Sequence, residues 1–125
     1  MSYDIYIQDK ETGETIQFPE KHNMTGGTYC LGGTTEAWLN ITYNYSPTFR
    51  RLFGEEGINQ IDGKKITETI DMLSQGFEKL DNAKPDDDYW KNTDGNVKVA
   101  LGNLLALASK AVYNFPDKDL VWYIC

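Results

Sequence analysis

The sequence predicts an α+β fold, with a mainly antiparallel sheet and two to three helices packed on one of its faces. Strand-like alternation of apolar and polar residues dominates the first 44 residues, and two helical apolar periodicities follow between residues 66 and 112. Strands followed by helices are typical of α+β proteins, whereas α/β proteins alternate the two. The length of 125 residues, 40% of them hydrophobic, predicts a single globular domain over 1–125.

The N-terminal third is predicted to supply most of the sheet. Tyr3, Ile5 and Ile7 occupy alternate positions, which is the period of a half-buried strand, and the turn residues that follow predict a hairpin. Two glycine pairs bracket a further short strand, and they are read either as tight turns or as points of close approach for an anion. The predicted strands are residues 3–8, 15–18, 28–31 and 37–44.

Helices are predicted in the rest of the chain. Ser46 can cap a helix whose first position is Pro47, and Gly54 should end that helix. A second and a third helix follow from apolar residues spaced by three and four, and Thr93 or Asp94 can cap the third. The predicted elements are a short helix over residues 46–53, helices over 66–80 and 93–112, a loop over 81–92, and a final strand over 120–124.

Composition limits the classes of function. The chain has 19 acidic and 12 basic residues, a formal net charge of -7 and a pI of about 4.6, which argues against direct binding of nucleic acid. The same charge suits either plain solubility or an acidic face that competes with nucleic acid for a basic partner.

The predicted location is the cytoplasm. No signal peptide is recognised in MSYDIYIQDK, and the longest apolar run, LVWYIC, is too short for a membrane span. Cys30 and Cys125 are expected to be free thiols, with a disulfide between them as the alternative.

Signals for catalysis or metal binding are weak. His22 is the single histidine, and we expect it in a surface loop and not in a catalytic triad. The run Asp86-Asp87-Asp88 has carboxylates that suit a hard cation, but it lacks the spacing of a calcium loop and is read as a solvated acidic turn. We therefore predict no cofactor, no metal and no catalytic residue.

The segment LNITYNYSPTFRR is the most informative stretch. Asn40, Thr42 and Asn44 are predicted to share a strand face with Trp38, although asparagine is depleted in strands. Their amides would hold either a neighbouring loop or a bound polar ligand. The candidate ligand-binding residues are Thr28, Asn40, Thr42, Tyr43, Asn44, Tyr45, Thr48, Arg50 and Arg51.

The predicted helix start after this strand suggests a weak anion site. Free amides and the positive end of the helix dipole would face the end of the strand, and Arg50 or Arg51 would add a charge-assisted contact. Tyr43 or Tyr45 would cover a flat ligand. In the alternative, the arginines pair with the nearby glutamates 55 and 56 and the tyrosines fill the core.

A second candidate surface lies in the predicted loop. Asp87, Tyr89 and Trp90 combine negative charge with aromatic side chains, a combination that suits an interface with a protein partner. The apolar final strand must pair either within the sheet or with another subunit, so a homodimer is a further possibility.

A resemblance to a known group accompanies these patterns. GGTYCLGGTTEAWLNITYNYSPTF and DDYWKNTDGNVKVALGNLLALA resemble a family of small uncharacterised proteins of phages, prophages and bacterial genomes. The similarity covers most of the chain, including MSYDIYI, whereas the tail NFPDKDLVWYIC departs from the short acidic ending of that family. If the protein is encoded by a phage, the resemblance implies that it acts in the host cytoplasm, and it transfers no activity to individual residues.

Three functions follow as hypotheses. The first is a non-enzymatic counter-defence protein of phage type that sequesters a small phosphate-bearing or nucleotide-like signalling ligand. The second is an acidic inhibitor, comparable to anti-CRISPR proteins, that binds a host defence protein which handles nucleic acid. The third is a small enzyme that uses carboxylates for proton transfer.

Overall fold

The fold is α+β, as the order of elements predicts. In a computed structural model, which describes residues 1–24, 32–80 and 83–125 and the backbone of 27–28, six strands and three α-helices are present within those residues. The strands are β1 (Ser2–Asp9), β2 (Gln17–His22), β3 (Gly27–Thr28), β4 (Thr34–Glu36), β5 (Trp38–Thr42) and β6 (Leu120–Ile124). The helices are α1 (Ser46–Phe53), α2 (Ile66–Lys79) and α3 (Asp94–Asn114).

The main sheet is antiparallel, with the strand order β3-β5-β1-β6. Alternate residues of its three longer strands are buried under the helices, as the period of a strand requires. These residues include Ile5, Ile7, Leu39, Ile41 and Trp122, all at most 1% exposed. The opposite face of the sheet stays partly exposed to solvent.

The helical layer completes the core. Phe49, Leu73, Leu101 and Leu104 are fully buried, and the indole Nε1 of Trp122 donates to Thr69 Oγ1 at 2.8 Å. Val112, which the helical spacing placed on the buried face, is instead 38% exposed near the end of α3.

The predicted N-terminal hairpin forms only at its turn. The amide of Asp9 donates to the carbonyl of Glu14, and that of Ile16 donates to the carbonyl of Ile7. Beyond this point Ala37 bonds to both Ile7 and Ile16, and β2 leaves to pair with β4 in a separate two-stranded sheet. The predicted strand 15–18 is therefore displaced to Gln17–His22, because its partner is β4 and not β1.

The final strand is paired inside the chain. β6 runs antiparallel to β1 along one edge, and the amide of Trp122 donates to the carbonyl of Lys64 on the other. Gly63 donates to the carbonyl of Trp122, and Asp62 Oδ1 accepts from the amide of Ile124. A homodimer stays a prediction, and β6 has no open edge along these residues to offer it.

The glycine pair that precedes β4 has the backbone conformation of the predicted turn. Gly32 and Gly33 have φ of 80° and 79°, as a tight turn requires. Of the predicted strand 28–31 only position 28 lies within the described residues, and Cys30 lies outside them. Cys125 is an exposed free thiol. None of the described helices is long and apolar enough to cross a membrane.

Candidate functional site

The loop over residues 84–93, here called the acidic loop, connects α2 to α3 and is fastened to the start of α1. Asn44 Nδ2 donates to the carbonyl of Trp90 at 2.8 Å, and the hydroxyl of Tyr45 donates to the carbonyl of Tyr89. One turn further along, Thr48 Oγ1 donates to Asn92 Oδ1 at 2.8 Å. Residues of the predicted ligand set therefore hold a neighbouring loop.

Asn96 fastens the same loop from the other side. It lies in the first turn of α3 and is only 3% exposed. Its Nδ2 donates to the carbonyls of Asp88 and Lys91 at 3.0 and 2.9 Å, and its Oδ1 accepts from the amide of Asp86 at 2.9 Å. One buried carboxamide thus satisfies three backbone groups of the loop, as buried polar groups require.

Close packing also fixes the start of the loop. A Cβ at Gly95 would overlap the backbone carbonyl of Lys84. The backbone of α3 and the backbone before Pro85 therefore approach each other more closely than any residue other than glycine permits.

The aspartates of the loop bond to its own backbone. Asp86 Oδ1 accepts from the amide of Asp88, and Asp88 Oδ1 accepts from the amide of Trp90, at 2.9 and 3.1 Å. Asp86 also pairs with Lys91 at 3.8 Å. These successive Asx turns explain two of the three adjacent aspartates without a metal ion. No group of three or more metal-ligating side chains is present among the described residues.

The anchoring uses backbone carbonyls, so it leaves the aromatic side chains outside. Tyr89 and Trp90 are 55% and 47% exposed. Asp87 is exposed as well, and it has no hydrogen bond or ion pair within the part of the chain that the structure describes. The three predicted partner-binding residues therefore lie together on a loop whose backbone is fixed.

Burial shapes the chemistry of Tyr45. Its side chain is 2% exposed, and burial, followed by the nearby negative charge of Asp88, raises the pKa of Tyr45 to about 12. The phenol is therefore neutral at physiological pH and acts as a hydrogen-bond donor.

The predicted strand face is wrong at its C-terminal end. β5 stops at Thr42, and Tyr43–Tyr45 form a 3-10 helix that runs directly into α1. The reason is local capping, because Thr42 Oγ1 accepts from the amide of Asn44 at 3.2 Å. Asn44 therefore does not share a strand face with Asn40.

The predicted helix start is also altered. Tyr45 is the N-cap of α1, and the amide of Ser46 donates to the carbonyl of Tyr43. The hydroxyl of Ser46 bonds to Tyr3 Oη at 2.6 Å and does not cap the helix. The helix does not open directly at the end of the strand, so the arrangement proposed for an anion site is absent from these residues.

The remaining candidates are dispersed. Asn40 bonds to Ser2 and Asp4 on the open face of the sheet, and the ring of Tyr43 packs edge-on against Tyr3. Thr42 is buried at the end of β5. The side chain of the remaining candidate on β3, Thr28, lies outside the described residues.

The two arginines have different environments. Arg51 Nη2 pairs with Asp94 Oδ1 at 2.7 Å, and not with the glutamates that follow α1. This exposed pair joins α1 to the start of α3. The side chain of Arg50 is exposed and has no hydrogen bond or ion pair within the described residues.

His22 is a structural residue and not a surface loop residue. It lies on β2, is 9% exposed, and donates from Nε2 to the carbonyl of Glu36 at 2.6 Å. Its Nδ1 accepts from the amide of Met24 at 3.3 Å. Both ring nitrogens are thus occupied, which joins β2 to the end of β4.

Sequence reasoning missed Gly95 and Asn96. The available signal was Asp94-Gly95-Asn96 in the first turn of a helix, where glycine and asparagine are poor helix formers.

Comparisons with protein-family models, curated proteins and solved structures give no match.

Proposed function

We propose that this chain is a non-enzymatic protein-binding module that presents the acidic loop to a partner protein. The observation that carries the proposal is the exposure of Tyr89 and Trp90 on a backbone held by Asn44, Tyr45 and Asn96. Aromatic side chains are the commonest anchors of protein interfaces. A loop that is already ordered loses little conformational entropy on binding, which favours affinity.

The chemistry of the loop favours a basic partner. Asp87 is unpaired within the described residues, and the whole chain carries a net charge of -7. Negative charge around aromatic anchors accelerates association with a positive surface and disfavours acidic ones. Proteins that handle nucleic acid have such surfaces, and an acidic protein that covers one acts as an inhibitor.

The proposed biological setting is a bacterial host cell. The resemblance to phage and prophage proteins suggests a bacterial host protein as the partner and the host cytoplasm as the place of action. A defence protein that binds nucleic acid fits both the origin and the charge.

The test is recovery of the partner from bacterial lysate on immobilised protein. Wild type should retain a stoichiometric protein, and the double variant Tyr89→Ala/Trp90→Ala should lose it. Tyr113→Ala is the matched control, because Tyr113 is an 85% exposed aromatic residue on α3 and lies outside the loop. Binding should weaken as salt is raised, since salt screens the charges.

Two results would contradict the proposal. One is the absence of any stoichiometric partner for wild type at low salt. The other is equal recovery by wild type and by the double variant, with circular dichroism showing both to be folded.

The small-ligand hypothesis stays a prediction with reduced support. Asn44, Tyr45, Thr48 and Arg51 are engaged with the acidic loop or with Asp94. Arg50 is the exposed basic residue among the candidate ligand-binding residues whose side chain has no hydrogen bond or ion pair within the described residues. Titration calorimetry with linear and cyclic nucleotides, comparing wild type with Arg50→Ala, tests this hypothesis, and binding unchanged in the variant would contradict it.

A further inference from the structure

A row of aromatic side chains crosses the open face of the main sheet. Tyr6 on β1 is paired in register with Trp38 on β5 and with Tyr123 on β6. Directly paired residues of antiparallel strands project to the same face, so the three rings lie side by side. This aromatic row is on the face opposite the helices, and Tyr123 is 43% exposed there.

The rings of the row are held in place. Trp38 Nε1 donates to Asp4 Oδ1 at 3.0 Å, and Asn40 Nδ2 donates to the same oxygen at 2.9 Å. The ring centroids of Tyr6 and Tyr123 are 6.0 Å apart, with an angle of 37° between the ring planes. A ligand would therefore meet a platform that is already ordered.

Negative charge accompanies the aromatic row. The hydrogen bond between Trp38 Nε1 and Asp4 Oδ1 places the carboxylate of Asp4 beside the row. Burial, followed by the nearby negative charges of Asp4, Cys125 and Glu36, raises the pKa of Tyr6. Among the outward positions of β1, β5 and β6, Asp4 is the one charged residue. Those positions are Ser2, Asp4, Tyr6, Gln8, Trp38, Asn40, Val121 and Tyr123.

Aromatic faces beside carboxylates select cations. The negative face of an aromatic ring attracts a positive group within about 6 Å, and a nearby carboxylate adds to that attraction. A phosphate-bearing ligand would be repelled by the same carboxylates. Arginine fits better than lysine, because its planar guanidinium stacks on rings and its forked donors suit a carboxylate.

We propose that the aromatic row binds an arginine side chain on an exposed segment of a partner protein. This surface shares no residue with the acidic loop, so it does not rest on the function proposed for that loop. The aromatic row would give the chain a second surface that prefers positively charged groups, and this surface lies on the main sheet and not on the acidic loop.

The test uses the tryptophan indole signals in a two-dimensional ¹H–¹⁵N spectrum. The chain has three tryptophans, so three indole signals report separately on the aromatic row (Trp38), the acidic loop (Trp90) and the core (Trp122). The probe is an acetylated, amidated peptide of three arginines spaced by glycines. Its matched control has citrulline in place of each arginine, which keeps the shape and removes the charge.

The expected result is a saturable shift of the Trp38 signal with the arginine peptide and none with the citrulline peptide. Tyr123→Leu, which removes an exposed ring, and Asp4→Asn, which removes charge but keeps an acceptor for Trp38, should each weaken binding about two- to fivefold. Tyr123→Phe should bind as wild type does. Tyr113→Leu is the control for loss of an exposed ring elsewhere and should also leave affinity unchanged.

Several results would overturn the proposal. These are the absence of a Trp38 shift, equal binding of the citrulline peptide, and unchanged affinity in both Tyr123→Leu and Asp4→Asn. A shift confined to Trp90 would also overturn it, because the arginines would then be bound by the acidic loop.

Discussion

The buried carboxamide of Asn96 donates to the carbonyl of Asp88 over 3.0 Å. This bond joins the first turn of α3 to the centre of the acidic loop, and two further bonds from the same side chain reach Asp86 and Lys91. The exposed aromatic pair of the loop is therefore positioned by a residue that does not itself reach the surface.

Replacing this residue should release the loop. Asn96→Ala leaves three backbone groups without their partner and should lower the free energy of unfolding by about 2 kcal/mol, measured by urea denaturation. Limited proteolysis should then cleave within 84–93 faster than in wild type. Ser109→Ala, on an exposed position of the same helix, is the control: it should change the free energy of unfolding by less than about 0.5 kcal/mol and leave the cleavage rate unchanged. If Asn96→Ala had the unfolding free energy of wild type and were cleaved no faster, the hydrogen bonds of the Asn96 side chain would not be what holds the loop.

Position 95, where α3 contacts the start of the acidic loop, should tolerate only glycine. Gly95→Ala would place a Cβ against the carbonyl of Lys84, which is backbone and yields little, so we expect a loss of about 3 kcal/mol. Gly102→Ala is the matched control in the same helix, because its Cβ would lie 3.2 Å from the ring of Phe77, a movable side chain. A change below about 1 kcal/mol is expected there, since alanine favours the helix. Equal effects of the two substitutions would contradict this account.

The hydroxyl of Tyr45 should stabilise the fold until strongly alkaline pH. Tyr45→Phe removes its bond to Tyr89 and should cost about 1 kcal/mol at pH 7. Because the folded-state pKa is raised to about 12, the unfolded chain loses this proton first and stability falls as pH rises above the ordinary value of 10.0. Thermal unfolding between pH 8 and 11 should show a steeper decline for wild type than for Tyr45→Phe. Parallel declines would exclude this role.

The pair of Asp9 and Lys118 should protect the fold at mild but not extreme acidity. The hydrogen bond from Lys118 Nζ, 3.1 Å long, and backbone donors hold the pKa of Asp9 below its ordinary value of 3.8. The unfolded chain therefore takes up this proton at higher pH than the folded protein does. The resulting stability is present above the ordinary pKa and is lost as pH falls through the folded-state pKa.

The corresponding variant is Lys118→Met. Its melting temperature should lie below that of wild type at pH 7, and the difference should shrink as the pH falls below about 3.8. Lys10→Met is the control, because Lys10 is an exposed lysine whose side chain has no ion pair within the described residues. If the difference in melting temperature between Lys118→Met and wild type were independent of pH, Lys118 would stabilise the fold through its packing and not through its charge beside Asp9.

The sequence by itself determined the fold class and the positions of most elements. Period-two alternation located β1 and β5, and steps of three and four located α2 and α3, because these periods follow directly from backbone geometry. The sequence offered Thr93 or Asp94 as the cap of α3, and Thr93 is the one that caps it, through a bond between residues three apart in the chain. Local chemistry also identified Gly54 as the end of α1 and the glycine pair before β4 as a turn.

Only the tertiary structure decided what the polar residues of LNITYNYSPTFRR do. Their side chains reach groups more than 40 positions away, from Asn44 to Trp90 and from Thr48 to Asn92, and no sequence period encodes such contacts. The same holds for the row of Tyr6, Trp38 and Tyr123, which exists because strands from opposite ends of the chain pair in one register. A polar side chain on a predicted surface has several possible partners within reach, and which one it bonds is fixed only when the packing of the apolar core sets the distances between elements.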